Sequence, residues 1–151
     1  MLKKFILIII SSLLFYSCEY RPIYSQKNIK NFYIERIDYE GDNNINILLN
    51  NNLKKYFKLK DGKKFKIESS SKYSKISQSK NKSGSTIYYQ LILEVNFEVT
   101  DANKKEDIQY EEKFIMKNYS SEYDEKNYEK SIQKNMTNKI TEDLILQLSR
   151  M

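Results

Sequence analysis

Hydrophobic and polar positions alternate most regularly between Ile87 and Val99. Ile87, Tyr89, Leu91, Leu93, Val95, Phe97 and Val99 occupy every second place. A strand puts all seven on one side, and that side must be buried. Other segments carry weaker versions of the same signal. Residues 30–39 contain Phe32-Tyr33-Ile34-Glu35-Arg36-Ile37, rich in aromatic and β-branched side chains, and predict a first strand. Gly41-Asp42-Asn43 breaks it, and Asp42 or Asn43 can cap a helix by accepting backbone N–H bonds. Ile45, Leu48, Leu49, Leu53, Tyr56 and Phe57 then recur at steps of three and four, the spacing of one helical face. Asp61-Gly62 predicts the end of that helix, with Gly62 as its left-handed C-cap. Asn50, Asn51 and Asn52 weaken the helix intrinsically, so packing must hold it.

Phe65 and Ile67 alternate with Lys64, Lys66 and Glu68 and begin a second strand that runs towards Ile76. Residues 77–85 are polar, include Gly84, and read as a mobile loop. After the long third strand, residues 101–105 read as a hairpin loop. Ile108, Tyr110, Phe114 and Met116 give a fourth alternating strand, with Glu112 as the exception. Tyr128, Ile132, Met136, Ile140, Leu144 and Leu148 step by four through a long amphipathic helix. The order is β-α-β-β-β-α. It predicts an α+β two-layer sandwich, a mostly antiparallel four-stranded sheet with two helices on one face.

The N-terminus changes the setting. Lys3 and Lys4 precede an apolar run from Phe5 to Phe15 that contains only Ser11 and Ser12 as polar breaks. About 20 apolar residues are needed for a comfortable membrane span, and this run is shorter. It has the length of a signal-peptide core. Ser17-Cys18 comes next, a small residue before the single cysteine of the chain, in the manner of a bacterial lipobox. Phe15 and Tyr16 depart from the usual Leu and small residue. The pattern assigns residues 1–17 to a signal peptide, residues 18–28 to an acylated N-terminus and tether, and residues 29–151 to one domain. The competing reading is an incidental Cys18 behind an ordinary signal or an anchor helix. Acylation at Cys18 would hold a soluble domain on a membrane, because each buried CH₂ contributes about 0.8 kcal/mol. Glu19 is not the Asp that commonly retains such lipoproteins in the inner membrane, so the outer membrane stays open.

Composition removes several chemistries. With no His there is no Ser-His-Asp triad and no imidazole metal ligand. One Cys forms neither an intrachain disulfide nor a Cys-cluster zinc site, and three scattered Gly make no phosphate-cradling loop. No cofactor or metal site is expected. The acids after Asp101 have structural readings. Glu111 and Glu112 point to opposite faces of a strand, and Asp124, Glu125 and Glu129 lie near a helix start, where negative charge offsets the dipole.

The opening Cys18-Glu19-Tyr20-Arg21-Pro22-Ile23-Tyr24 resembles the Cys-Gly-Phe/Tyr-Arg-Pro-Leu-Tyr opening of the lipopolysaccharide-assembly lipoproteins, the LptE family. Glu19 stands where Gly is usual. Leu49-Asn50-Asn51-Asn52-Leu53 is similar to the family's Leu-Arg-Asn-x-Leu, with Asn50 in place of the Arg. Ile140-Thr141-Glu142-Asp143-Leu144 through Leu148 resembles its closing helix. The resemblance implies a non-enzymatic outer-membrane lipoprotein on the periplasmic side. Such a protein plugs the LptD-type β-barrel and meets lipopolysaccharide. The alternative is a free periplasmic lipoprotein acting as a small-ligand binding or transport-auxiliary module.

Charge adds one feature. From Lys54 to Lys82 there are eleven lysines and two acids, while the whole chain is only +6. The rest of the chain is therefore net acidic. Such a block attracts polyanions or is simply a solvated face. Lys72, Lys75, Lys80 and Lys82, expected on the second strand's end and the adjoining loop, away from the core stripes, are the candidate contacts to lipopolysaccharide phosphates. Nucleic acid is not expected as a partner of a secreted chain, and the block is nearly free of the Arg forks that suit phosphate. Tyr88 and Ile92, on the opposite side of the third strand, are candidates for an apolar contact with a barrel or an acyl chain, or are simply covered by the tether.

Overall fold

The computed structural model describes residues 32–57, 62–102 and 104–151. Cys18, the signal segment and the tether lie outside the described residues. The elements are β1 (Phe32–Gly41), α1 (Asn43–Leu53), β2 (Lys63–Lys80), β3 (Thr86–Asp101), β4 (Lys104–Lys117) and α2 (Glu122–Arg150). The sheet order is that of the chain, β1-β2-β3-β4. β1 and β2 run parallel because α1 lies between them, and the β2–β3 and β3–β4 pairs are antiparallel. The expected α+β order and the two-layer architecture are thus present.

Local chemistry explains each boundary. β1 breaks its alternation at Glu35-Arg36, where the register with β2 shifts between Ile34 and Arg36. One extra residue in a strand reverses the facing of the residues beyond it. Phe32 and Ile34 are buried before the bulge, and Ile37 and Tyr39 pack against the same core after it. Gly41 has φ +91°, and a Cβ there would sit 1.9 Å from the Ser71 carbonyl oxygen. Glycine alone allows this close approach. The adjacent Asp42 N–H donates to that same carbonyl at 3.0 Å. The Asp42 carboxylate then caps α1, accepting from the N–H groups of Asn44 and Ile45 at 2.9 and 3.0 Å.

Two sequence boundaries need correction. The α-helix ends at Leu53 and a 3-10 turn carries Lys54–Phe57, so Tyr56 and Phe57 sit on a tighter coil than expected. The Tyr56 ring stacks on Phe32 at a centroid distance of 5.3 Å, and that contact secures the turn against β1. Secondly, of residues 77–85, read as a mobile loop, the first four are strand. β2 continues to Lys80, pairing Ser77 with Tyr89 and Lys80 with Thr86. The turn beyond is held by Asn81, whose Oδ1 accepts from the N–H groups of Ser83 and Ser85 at 3.0 and 2.9 Å. Polar composition had suggested a loop, but backbone pairing and an Asx-type turn need no apolar side chains.

The core lies between one sheet face and the two helices. Leu91, Leu93, Val95, Phe97 and Val99 of β3 are each at most 1% exposed, as their alternation requires. α1 contributes Ile45, Leu49 and Leu53. α2 contributes Ile132, Met136, Ile140, Leu144 and Leu148, so its first two and a half turns bring no fully buried residue. Burying a Leu, Ile or Phe side chain contributes about 1.5–3 kcal/mol, and this set outweighs the poor intrinsic propensity of the Asn-rich α1. Asn52 is also fixed to α2, donating to Asn138 Oδ1 at 3.0 Å.

Candidate functional site

The chain enters the domain at Phe32, which pairs with Lys63 at the start of β2. The C-terminus is at the same end, where Lys63 Nζ donates to the Met151 carbonyl at 2.7 Å and pairs with Asp101 at 2.6 Å. The β2–β3 turn lies at the other end of β2. A strand of 18 residues spans roughly 55 Å at about 3.3 Å per residue. The entry point at Phe32 and the hairpin tip are therefore at opposite ends of the sheet.

The tip is both cationic and apolar. Lys80 and Lys82 are exposed there. On the sheet face away from the helices, Ile76 is 50% exposed, Ile115 56% and Tyr88 41%. Ile76, Gln90 and Ile115 lie side by side across three strands. On the helix side of the same end an aromatic group gathers: Tyr128 meets Phe114 edge-on at 6.4 Å and Tyr119 at 5.5 Å. This end can bind a molecule that is apolar in one part and anionic in another.

The four candidate lysines do not form one cluster. Lys72 is exposed on the open sheet face, and Lys80 and Lys82 are at the tip. Lys75 departs from the expectation that it lies away from the core stripes. It shares the helix-covered face with Phe65, Ile67 and Tyr73, because alternation carries odd-numbered β2 residues to that side. Its ammonium donates to Glu125 at 2.6 Å and Glu129 at 2.8 Å, and lies 4.3 Å from the Tyr89 ring centroid. Burial pulls the Lys75 pKa down, but the hydrogen bonds to Glu125 and Glu129 outweigh it and leave the value raised. Lys75 is thus a tie between β2 and α2. Its register among polar neighbours hid this from the sequence, and only the phase of β2 from Phe65 onward could have revealed it. The acids near the start of α2 keep their structural reading, with Lys75 as the partner the sequence did not supply.

A second feature escaped the sequence. The cross-strand register aligns Asp38, Glu68, Glu98 and Asp107 in one row, one carboxylate from each strand. The row lines a shallow concavity of about 520 Å³ on the open face. Arg36 pairs with Asp38, and Lys105 with Glu98. Glu68 and Asp107 have no ion-pair partner among the described residues. The residues lie in four separate segments, and only the register joins them. Among the described residues no group of acids converges as a metal ion requires.

A match to the family described as LptE, Lipopolysaccharide-assembly, extends over residues 29–148. The chain belongs to the LptE family. It therefore has a role in lipopolysaccharide assembly, in a family of non-enzymatic lipoproteins of the cell envelope. Solved structures share the LptE fold at low identity. Rare lipoprotein B from Shewanella oneidensis is 16% identical with a TM-score of 0.55, covering 74% of this chain and 91% of that one. Lipoprotein B from Nitrosomonas europaea is 16% identical with a TM-score of 0.55, covering 82% and 88%. A putative lipoprotein from Caulobacter crescentus is 11% identical with a TM-score of 0.52, covering 76% and 88%. No curated protein matches the chain. Among the described residues of this LptE chain, no helix is long and apolar enough to cross a membrane.

Proposed function

We propose that this chain is an outer-membrane lipoprotein, acylated at Cys18, that plugs an LptD-type β-barrel and presents its hairpin tip to lipopolysaccharide. The observation that carries the reading is the polarity of the LptE fold. The N-terminal entry at Phe32 and the cationic, apolar tip stand at opposite ends of the sheet. A lipid at Cys18 holds one end at the membrane surface on the periplasmic side. The tip then carries Lys80 and Lys82 roughly 55 Å along the strand direction, the length of β2 at about 3.3 Å per residue, with Lys72 about half-way along the same strand. Lysines answer phosphates, and Ile76, Tyr88 and Ile115 answer acyl chains.

Co-purification tests the reading. The full chain, co-expressed with the LptD-type barrel of its own cell and extracted in detergent, should leave the column with the barrel. Recovery of the chain alone would reject the plug role and favour a free periplasmic binding module. Mass spectrometry of the mature N-terminus should find acyl chains on Cys18. A mature chain that keeps residues before Cys18 and carries no lipid would reject the anchor.

A further inference from the structure

The two edges of the sheet are built differently. β1 is ten residues long, shifts register between Ile34 and Arg36 and ends at Gly41. β4 is fourteen residues long, contains no Pro or Gly, and keeps one register with β3 from Lys104 to Lys117. Short length and bulges protect an edge, whereas a long regular edge is a template for another strand. The free side of β4 can be assigned. Beyond the Tyr88–Lys117 pair, the Asn118 N–H donates to the Ile87 carbonyl at 2.8 Å. Bonded and non-bonded pairs alternate in an antiparallel ladder. Even-numbered β4 residues therefore bond to β3, and odd-numbered ones turn their N–H and C=O groups outward. Among the described residues no strand pairs with that side.

We propose that two copies of this chain pair through these free edges, antiparallel, about a two-fold axis at Glu112. The inference stands apart from the barrel reading. Charge selects the occupant, because the surface of a second copy is that of the first.

A two-fold ladder opposes outward residues to outward residues, so it centres on a single β4 residue. Centred on Glu112, it sets Asp107 against Lys117 and Glu111 against Lys113 of the other copy. All four are exposed. Asp107 and Lys117 have no ion-pair partner among the described residues. Glu111 and Lys113, 2.7 Å apart within one chain, become half of a ring of alternating charges. On the helix side Tyr110 meets Phe114, a favourable aromatic cross-strand pair. The two Glu112 carboxylates meet at the axis, but each is already held by its own Lys139 at 2.5 Å. Other centres fit less well. Gln109 sets Lys105 against Lys113 and Glu106 against Glu112. Tyr110 sets Glu106 against Phe114 and Ile108 against Glu112. Glu111 sets Lys105 against Lys117. Ile108 sets Lys104 against Glu112 and Lys105 against Glu111, but Lys105 and Glu112 are already engaged with Glu98 and Lys139. Pairing from Asp107 to Lys117 makes roughly a dozen backbone hydrogen bonds, and a typical interface has about 10.

The test uses the full chain in membranes, mildly oxidised and run on a non-reducing gel. Residues of a non-hydrogen-bonded pair lie about 4.5 Å apart at Cα, within reach of a disulfide. Glu112→Cys faces itself across the axis and should give a disulfide-linked dimer. Gln109→Cys should not, because residue 109 faces residue 115 and lies roughly 20 Å along the strand from its counterpart. Wild type controls for Cys18, its single cysteine. In detergent, sedimentation of wild type should give the mass of a dimer. Lys113→Glu/Lys117→Glu should weaken dimerisation about ten-fold, and adding Asp107→Lys/Glu111→Lys should restore it by exchanging the signs. A monomer mass for wild type, no link from Glu112→Cys, or equal links from Glu112→Cys and Gln109→Cys overturns the inference. The lysines of β4 would then be guards of the edge. If the charge variants do not fold, the two cysteine variants decide alone.

Discussion

The Tyr73 hydroxyl donates to Glu129 Oε1 at 2.7 Å, and the other oxygen of that carboxylate accepts from Lys75 at 2.8 Å. One carboxylate of α2 thereby holds two side chains of β2. Glu125 completes the clasp, accepting from Lys75 and, at 3.3 Å, from the Tyr119 backbone N–H. The buried residues of α2 begin only at Ile132, so the helix before that point depends on this clasp and on the contacts of Tyr128.

Lys75→Met should therefore loosen the start of α2 without unfolding the domain. It leaves Glu125 and Glu129, whose side chains are 14% and 16% exposed, without their cation. Losing a hydrogen bond to a charged group costs about 1.5–3 kcal/mol. Tyr73→Phe removes one such bond and should cost less. Urea unfolding should place both variants below wild type in that order. Hydrogen exchange should quicken in residues 122–131 and stay slow in residues 136–148. Equal exchange along all of α2 would mean that the clasp is not what secures its start.

The same groups set the alkaline limit. Burial raises the Tyr73 pKa, the bond to Glu129 raises it further, and burial raises Tyr39 and Tyr110 as well. The Lys75 value is also raised. In each case the folded chain holds its proton more tightly than the unfolded chain. The unfolded groups titrate near about 10, so above that pH the unfolded state binds fewer protons and stability falls as pH rises. Below it, the contribution of these groups is fully present. Melting temperature measured from pH 8 to 12 should be flat at first and decline beyond about 10. Tyr73→Phe should make the decline shallower.

Much of this architecture was legible in the sequence because apolar periodicity reports burial directly. Leu91 to Val99, the α1 face and the α2 stripe all appear where alternation or a step of four placed them. The end of β2 was not legible, because Ser, Gln and Lys pair through their backbones and leave no apolar trace. The role of Lys75 was hidden for the same reason. The carboxylate row was hidden differently. Each acid is ordinary in its own strand, and only the register of four strands brings Asp38, Glu68, Glu98 and Asp107 together.

Two serines on one face of β2 give a sharper test of the polar layer under α1. Ser71 Oγ is 2.7 Å from Asn46 Oδ1 and reaches the Asp42 carbonyl at 3.3 Å. Ser69 is 2% exposed, and its Oγ has no hydrogen-bond partner among the described residues. A buried hydroxyl with no partner carries a desolvation cost, whereas a satisfied one contributes. Ser71→Ala should destabilise by about 1 kcal/mol or more, and Ser69→Ala should be neutral or stabilising by up to about 1 kcal/mol. Denaturant midpoints for the pair would check the contrast. Equal losses would show that Ser69 is satisfied by bound water.

The last prediction concerns the lysines left free once Lys75 is assigned to the clasp. Lys72, Lys80 and Lys82 are exposed and reach no carboxylate within 4 Å among the described residues. If they meet lipopolysaccharide phosphates, replacing all three by Gln should weaken binding and leave the melting temperature near that of wild type. Exposed lysines contribute little to stability, since surface ion pairs are worth roughly 0–1 kcal/mol. Their attraction to a polyanion is collective, so each single change should matter less than the triple one. Screening acts over about 8 Å at physiological ionic strength, so wild-type binding should fall with salt and the triple variant should depend on salt less. Lys75→Gln should behave in the opposite way, with lower stability and nearly unchanged binding. Purified lipopolysaccharide, titrated against the three proteins at low and high salt, separates these outcomes. Equal affinity of wild type and triple variant at both salts would show that the lysines are a solvated edge. The exposed apolar side chains of that end, Ile76, Tyr88 and Ile115 among them, would then be left to hold the lipid.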